Sequence, residues 1–552
     1  MTIYSDKYFE NPVEIITAFD TATFKKAFEK IERLKQKYYL VGYIRYEAKD
    51  IFLDKDISSN FPILYFEVYE GYRKFVQTQC NKDIYMFPTP DLTYKDYTSA
   101  IGKIKSEIKC GNTYEVNFTH NFKVMTNGKS FEIFNKLLDF QDTKYKAYFS
   151  NKYEEILSFS PELFFKLEND KIITKPMKGT VKRGQNSAQD LKNIKFLKND
   201  IKNRAENIMI VDLLRNDLGK IAKIGTVDVP KLFEIEEHKT LYQMTSTVQA
   251  NLRENISLYE IFKAIFPCGS ITGAPKISTM KIIDKIEKGS RGVYCGAIGM
   301  IYKDNAEFSV PIRILQKKYN ENFYNYRVGG AIVWDSTSRD EWNETVVKTS
   351  FLTENQQDLT LIETMKVENL KPLYFQEHIK RMKKSAKLLG FKFNKKIREL
   401  KPKYDGIFKI ELYKNGEYKV SYRPLNVSKT NKIAISDIII DSENILAQHK
   451  TNFRPQFEKS FEKIKAGEIY DEIFFNEKGE LTEGARSNIL IELGGKLYTP
   501  PTSCGLLGGI LREKMLKEKK CFEKILYKED LEKAENIYAI NSVRGVKKVD
   551  FN

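Results

Sequence analysis

Two lysines and a small set of glutamates carry the chemistry this 552-residue chain offers. Lys178 lies in Thr174–Gly184, TKPMKGTVKRG, and Glu162 in Ser158–Leu167, SFSPELFFKL. Between them stand Glu168, Asn169 and Asp170, turn formers by residue type. Glu162–Leu167 and Lys171–Lys175 are rich in Phe, Ile and Thr, which predicts a β-hairpin. A turn centred between Asn169 and Asp170 sets Glu162 within one residue of directly opposite Lys178. Two readings of that pair stand open. On a solvated face it is a cross-strand salt bridge worth roughly a few tenths of a kcal/mol. Away from water it is an acid beside a nucleophile. Pro176 and Gly179 interrupt regular pairing beside Lys178, and irregular strand ends are where sites are built.

Other acids occupy helices. Asp200–Leu218, DIKNRAENIMIVDLLRNDL, has an apolar stripe that includes Ile201, Ala205, Ile208 and Leu213. Glu206 sits beside that stripe and needs either a metal or a cation, for which Lys202 four residues back is available. Asp335–Phe351 reads as a helix with Glu341 and Glu344 on one face, although Ser338-x-x-Glu341 is also a capping-box pattern. Pro267–Lys276, PCGSITGAPK, reads as a glycine-bearing loop opening a helix, where free backbone N–H groups suit an anion. It is not a Walker A loop. Strands are expected at Gly292–Tyr302, at Glu307–Gln316 with Arg313, and at Tyr324–Trp334 with Gly329 and Gly330, where backbone approaches a ligand closely.

Upstream, helices are expected at Thr21–Gln36, Tyr94–Gly111 and Ser130–Phe140, with strands at Tyr38–Tyr46 and Ile63–Tyr69. The pattern restarts near Thr353–Asp358, TENQQD, a short junction without Pro or Gly. After it come a strand at Leu359–Lys366, a helix at Phe375–Leu389, and strands at Gly406–Lys414 and Glu417–Arg423. Lys450 follows in AQHKTNFRPQFEK. A strand–loop–strand spans Asp471–Leu493, and a helix begins near Ile510.

The net charge of +17 comes from lysines scattered along the whole length. There is no basic block and no basic stretch interleaved with aromatics, so nucleic acid is not an expected partner. None of the six cysteines forms a CxxC pair, which removes zinc and redox motifs. No apolar run approaches a membrane span, and the N-terminus lacks a signal-peptide layout. The expected compartment is the cytoplasm.

In order along the chain stand SFSPELF, KPMKGT, NRAENIMIVDLLRND, GSITGAPK, GVYCGAIG, IRI and GGAIVWDSTSRDEWNET. Together they resemble the chorismate-utilising enzymes, and within them the aminodeoxychorismate synthases. The resemblance covers residues 1–352. It implies an α+β fold, a two-layered β-sandwich-like domain flanked by helices. It implies that Glu162 is the general acid near the departing hydroxyl. Glu206, Glu341 and Glu344 would be the magnesium site. Tyr294 and Arg313 would contact the carboxylates of chorismate, and Ser270, Thr272, Gly329, Gly330 and Ala331 would line the pocket. Lys178 would attack the ring and ammonia would then replace it, which calls for an amine with a depressed pKa. Gln243 stands where many members have His, so pyruvate elimination is not expected in this domain. The Leu-Leu-Glu-Ser element by which anthranilate synthases sense tryptophan is not found.

Residues 358–552 resemble fold-type IV pyridoxal-phosphate enzymes, most of all the aminodeoxychorismate lyases, with an α/β domain. The resemblance makes Lys450 the Schiff-base lysine and Glu483 the carboxylate at the pyridine nitrogen. Arg381 and the backbone of Ile510 and Leu511 would hold the phosphate. The opening LIETM departs from the family's longer glycine-rich start. A homodimer through this domain is expected. None of the cysteines lies in a nucleophile elbow and none of the four histidines heads a His-x-Glu pair, so the ammonia is expected from a separate glutaminase or from free ammonium. The expected outcome is a bifunctional enzyme that makes 4-aminobenzoate from chorismate. The rival reading pairs an anthranilate or salicylate synthase with a branched-chain or D-amino-acid transaminase.

Overall fold

A computed structural model of the chain describes residues 1–80, 83–141, 143–184, 186–237, 241–353, 359–428 and 430–551. Two units are distinguished, one of residues 1–82, 90–124 and 129–354, the other of 83–89, 125–128 and 355–552. The junction at 354–358 lies outside the described residues. Among the described residues, no helix is long and apolar enough to cross a membrane.

The first unit is built on two large antiparallel sheets. One runs Gly273–Ala274, Glu115–Thr126, Tyr324–Ile332, Ile314–Lys318, Glu154–Ser160, Tyr145–Ser150 and onward to the N-terminal strands. The other runs Met177–Lys182, Leu241–Asn251, Lys171–Lys175, Leu163–Glu168, Asn305–Ser309, Ala297–Tyr302, Tyr39–Ile44, Leu64–Tyr69 and Glu14–Ala18. Phe149, Ile156 and Ile314 of the first sheet share one core with Phe164, Phe165 and Phe308 of the second. That is the expected sandwich, an apolar face of each sheet turned to the other. Helix Thr21–Leu34 closes it with Phe24, Ala27, Phe28 and Ile31, a helical spacing that puts all four on one stripe.

The hairpin forms with the expected register, Glu168 opposite Lys171 and Leu167 opposite Ile172. It does not reach Glu162 and Lys178. Its second strand ends at Lys175, before Pro176, which lacks the N–H that pairing needs. Met177–Lys182 pairs instead with Leu241–Asn251. The stretch expected as one strand at Glu307–Gln316 is two strands in different sheets, Asn305–Ser309 and Ile314–Lys318. Arg313 sits at the crossing with φ 53°, a left-handed conformation that is costly for a non-glycine and recurs at functional sites.

Glu162 occupies a second crossing, between Glu154–Ser160 and Leu163–Glu168. The two crossings are stitched together. Val310 N donates to Glu162 O at 3.1 Å, Ser160 Oγ to Val310 O at 2.5 Å, and Phe159 N to Arg313 O at 3.1 Å.

Three further expectations change. The strand placed at Gly292–Tyr302 starts only at Ala297, which leaves Tyr294 on a turn. The helix placed at Asp335–Phe351 runs Ser338–Thr349 with Thr337 as its cap, so Glu341 is not held in a capping box. Asp471–Leu493 is three strands, Asp471–Asn476, Leu481–Gly484 and Asn488–Leu493.

The second unit has a four-stranded antiparallel sheet, Lys371–Pro372, Leu361–Glu368, Gly406–Leu412 and Tyr418–Arg423. Helix Phe375–Leu388 packs Ile379, Met382 and Ala386 into a core with Met365, Phe408 and Ile410. An eight-stranded mixed sheet follows, in which Lys432–Ile440 runs parallel to both its neighbours, Asp471–Asn476 and Gly545–Phe551. Ile362 N donates to Lys450 O at 2.8 Å, which fixes Lys450 beside the strand that carries Glu363.

Gly273 has φ 140°, and a Cβ there would stand 2.0 Å from the Glu115 carbonyl oxygen. Gly273→Ala is therefore expected to cost about 2 kcal/mol or more. Gly102, in an exposed helix position with open space around it, is the control, and alanine there gains up to about 1 kcal/mol. Urea unfolding of the two variants measures both. Equal midpoints would rule out the tight packing of Gly273 against the Glu115 strand.

Candidate active sites

Three separate elements bring acids around Lys178. It lies on Met177–Lys182, with a side chain 11% exposed. Its Nζ is 3.1 Å from Glu115 Oε1 and 3.9 Å from Glu206 Oε2. Glu115 opens the strand Glu115–Thr126 and is fully buried. Its Oε1 also accepts from Asn117 Nδ2 at 3.2 Å, while Oε2 is buried with no partner among the described residues. Glu206 projects from helix Ile201–Gly219. The cation in contact with it is Lys178 rather than Lys202 of its own helix.

Glu162 completes the group from the crossing described above. Burial pushes its carboxyl up to about 7, against the hydrogen bond of Ser270 and the charge of Lys178, which both pull down. Its Oε1 is buried without a partner among the described residues. A carboxyl so placed holds its proton near neutrality, as a general acid must.

The amine departs from expectation. Burial pulls the Lys178 pKa down, but the carboxylates of Glu115, Glu206 and Glu162 outweigh it and leave the amine above its ordinary value. Lys178 is an ammonium in this arrangement.

Burial also raises Glu206 and Glu341, and neighbouring carboxylates add to both, Glu115 for the first and Glu344 for the second. Glu341 and Glu344 converge over Gly330, where a Cβ would lie 3.2 Å from Glu341 Oε2 and 3.5 Å from Glu344 Oε1. Ser336 Oγ donates to Glu341 Oε1 at 2.7 Å, and Lys348 draws Glu344 at 2.6 Å. Among the described residues no three His, Cys, Asp or Glu side chains are already gathered as a metal site. The donor set still suits a hard divalent cation, since it is all oxygen and its negative charge is incompletely paired.

The other expected pocket residues divide. Ser270 is at the acid. Gly329, Gly330 and Ala331 lie opposite Thr119, Phe118 and Asn117, on the strand next to Glu115. The Thr272 hydroxyl is turned onto the carbonyls of Cys268 and Gly269 and holds the loop. Tyr294 lines a cavity of about 210 Å³ with Arg45, Arg291, Gln316 and Arg327. Arg313 Nη1 donates to Gln141 Oε1 at 2.8 Å. Neither Tyr294 nor Arg313 makes a described contact with Lys178. Gln243 faces Thr180 on the strand beside Lys178, with Nε2 3.4 Å from Thr180 Oγ1. Glu115 is the residue that sequence reasoning passed over. Its only signal was an acid at the start of an alternating strand, and its importance depends on a register the sequence does not show.

In the second unit burial sets Lys450 the other way. Desolvation first, then the guanidinium groups of Arg454 and Arg381, bring its pKa down to about 7 against Glu363 and Glu483. Glu483, buried on Leu481–Gly484, is pushed up to about 7 by burial, with Arg454, the Leu507 backbone and Lys450 opposing. Arg381 grips Glu363 with Nε and Nη2 at 2.8 and 2.7 Å, and its Nη1 donates to Gly508 O at 2.9 Å. His378 Nδ1 lies 2.5 Å from Glu363 Oε2.

Gly508 and Gly509 lead into helix Ile510–Lys517, which has no side-chain cap, so the N–H groups of Ile510 and Leu511 are unpaired by a capping side chain. A Cβ at Gly509 would stand 2.0 Å from Asn488 Oδ1, so only glycine fits that cradle. Arg381 with two N–H donors left and the uncapped helix start fit a phosphate, a lysine lowered to about 7 fits an aldehyde carbon, and an acid raised to about 7 fits a ring nitrogen.

Residues 81–354 match the family model of the chorismate binding enzymes, and residues 360–550 that of the class IV amino-transferases. The chain is 36% identical over 259 residues to aminodeoxychorismate synthase component 1 of Escherichia coli (strain K12), 47% of this chain and 57% of that protein. It is 39% identical over 254 residues to aminodeoxychorismate synthase of Streptomyces griseus, 46% of this chain and 35% of that one. Anthranilate synthase component 1 of Aquifex aeolicus is 33% identical over 263 residues, 48% of this chain and 53% of its own length. The chain thus spans about half the length of the curated relatives it matches, or less. The solved anthranilate synthase component I from Streptococcus pneumoniae superposes with a TM-score of 0.55 at 21% identity, covering 64% of this chain and 92% of that one, and shares its fold. The chain therefore joins a segment that matches the chorismate binding enzymes to one that matches the class IV amino-transferases.

Proposed function

We propose that the two units act in sequence on chorismate to make 4-aminobenzoate. The first replaces the ring hydroxyl with ammonia, giving 4-amino-4-deoxychorismate and water. The second eliminates pyruvate as the ring becomes aromatic. The observation that carries the reading is the buried group of acids around Lys178, in which Glu162, raised to about 7, is near enough to feel the ammonium's charge. An acid able to give its proton to a departing hydroxyl thus shares one buried site with an amine able to take that hydroxyl's place on the ring. Lys178 passes its proton to Glu115, the nearest carboxylate, attacks the ring, and is then displaced by ammonia. Glu206, Glu341 and Glu344 would hold a magnesium ion, which offsets the substrate's carboxylates when bound. A separate glutaminase supplies the ammonia, as the words "component 1" in the relatives' names suggest, or free ammonium serves.

In the second unit Lys450, Glu483, Arg381 and the N–H groups of Ile510 and Leu511 would hold pyridoxal phosphate. That group supplies an electron sink when bound. Glu483 provides the ring-nitrogen partner. Lys450 Nζ, neutral for half its population near pH 7, takes the proton from the carbon that bears the substrate's amine.

Incubation of the whole chain with chorismate, magnesium and ammonium, with and without glutaminase, is expected to yield 4-aminobenzoate and pyruvate. Anthranilate or salicylate as the product would refute the reading. Lys178→Ala is expected to abolish amination and leave pyruvate release from supplied 4-amino-4-deoxychorismate intact, whereas Lys450→Ala does the reverse and removes the cofactor's visible absorbance.

The proton on Glu162 also has a signature. The amination rate at constant free ammonia should fall as pH rises through about 7, where Glu162 loses its proton. Glu162→Gln should be slower by about a hundredfold or more and lack that limb. A limb that persists in the glutamine variant would assign the ionisation to another group.

A further inference from the structure

We infer that Arg454 is the residue that recognises a carboxylate of the second unit's substrate. The inference rests on the lyase reading for which substrate that is, and on the site's own charges for the chemistry. Arg454 lies four residues after Lys450, at the start of a short turn in which Phe457 N donates to Arg454 O at 3.1 Å. Its guanidinium carbon stands 5.5 Å from the centre of the Phe457 ring, which steadies it. Nε is buried and has no hydrogen-bond partner among the described residues. No Asp or Glu among the described residues forms an ion pair with it, in contrast to Arg381, held by Glu363.

The balance of charge in the site makes that position informative. Glu363 is claimed by Arg381 and His378. Glu483 is the acid that acts most strongly on Arg454, yet it is also the acid placed to meet the cofactor's ring nitrogen. With Glu483 so engaged, Arg454 acts on Lys450 with no acid among the described residues left to itself. A guanidinium does not deprotonate in proteins, and burying one unpaired is costly. The ligand must bring the missing anion. The cofactor's phosphate has its own cradle at Arg381 and the start of helix Ile510–Lys517, joined by the Arg381 Nη1 bond to Gly508 O. A substrate carboxylate is the anion that remains, and the planar fork of an arginine matches its two oxygens.

The test uses the full chain loaded with pyridoxal phosphate. Dissociation constants of 4-aminobenzoate, its neutral analogue 4-aminobenzamide, and pyruvate are measured by calorimetry and by the shift in cofactor absorbance. Arg454→Met is expected to weaken 4-aminobenzoate about 10- to 100-fold. It should leave 4-aminobenzamide and the cofactor's own affinity within about threefold, and Arg454→Lys should fall between. If the wild type takes up pyruvate in preference to 4-aminobenzoate and Arg454→Met loses that binding, carboxylate recognition by Arg454 holds with pyruvate's carboxylate as the one recognised, and release of pyruvate from supplied 4-amino-4-deoxychorismate tests the lyase reading separately. Unchanged binding of both carboxylates in Arg454→Met, an equal loss of 4-aminobenzamide, or release of the cofactor would each overturn the inference. A wild type that binds neither carboxylate would overturn it as well.

Discussion

The first unit depends on keeping one ammonium and several carboxylates together out of water. Each of these charges costs several kcal/mol to bury alone, and only mutual pairing offsets that. Lys178 with Glu115 at 3.1 Å and Glu206 at 3.9 Å is the pairing that makes the group tolerable. Much of the local architecture follows from it. The Glu115 strand must lie beside both Gly273–Ala274 and Gly329–Ala331, helix Ile201–Gly219 must present Glu206, and the broken hairpin must turn Lys178 away from its own first strand. Glu341, which has no ion pair among the described residues, and the bare Oε2 of Glu115 make the group a receptor for positive charge.

The two lysines are opposite solutions to the same problem. Both are removed from water, which always favours the neutral amine. Lys178 has carboxylates for neighbours and stays charged. Lys450 has Arg454 and Arg381, and falls to about 7. A nucleophile that must form a carbon–nitrogen bond with an aldehyde is served by the second setting directly. The first setting requires that substrate or a cation rearrange the charge before the amine can react. The resting position of Lys178 is therefore a holding state, in which the same contacts that orient the amine also keep it protonated.

What the sequence disclosed follows the range of the forces involved. Local periodicity gave the helices at Thr21–Leu34, Tyr94–Lys109 and Phe375–Leu388 to within a few residues, and residue type gave the turn at Asn169–Asp170 with its register. The motifs named the family of each half before any fold was in view. Two failures have one cause. Glu307–Gln316 looks like a single apolar run because both of its halves are buried, yet it changes sheets at Arg313, and nothing local distinguishes a strand that continues from one that crosses. Glu162 and Lys178 were placed together by extending a ladder past Pro176; they do meet electrostatically, but through a crossing and a second strand rather than as partners. Glu115 was invisible for the same reason, since a buried acid is recognised only from its neighbours across the sheet.

Glu162 and Glu483 show why a shifted acid does not by itself assign a role. Burial lifts both to about 7. Glu162 is opposed by a serine hydroxyl and by an ammonium already shared with other acids, and these pull less than burial pushes. It keeps a proton that it can give away. Glu483 has a guanidinium, a backbone N–H and Lys450 around it, and one further cation tips it to carboxylate. A protonated ring nitrogen would be that cation. The same displacement thus marks a proton donor where the partners are absorbed elsewhere, and an ion-pair acceptor where a positive partner is still to arrive.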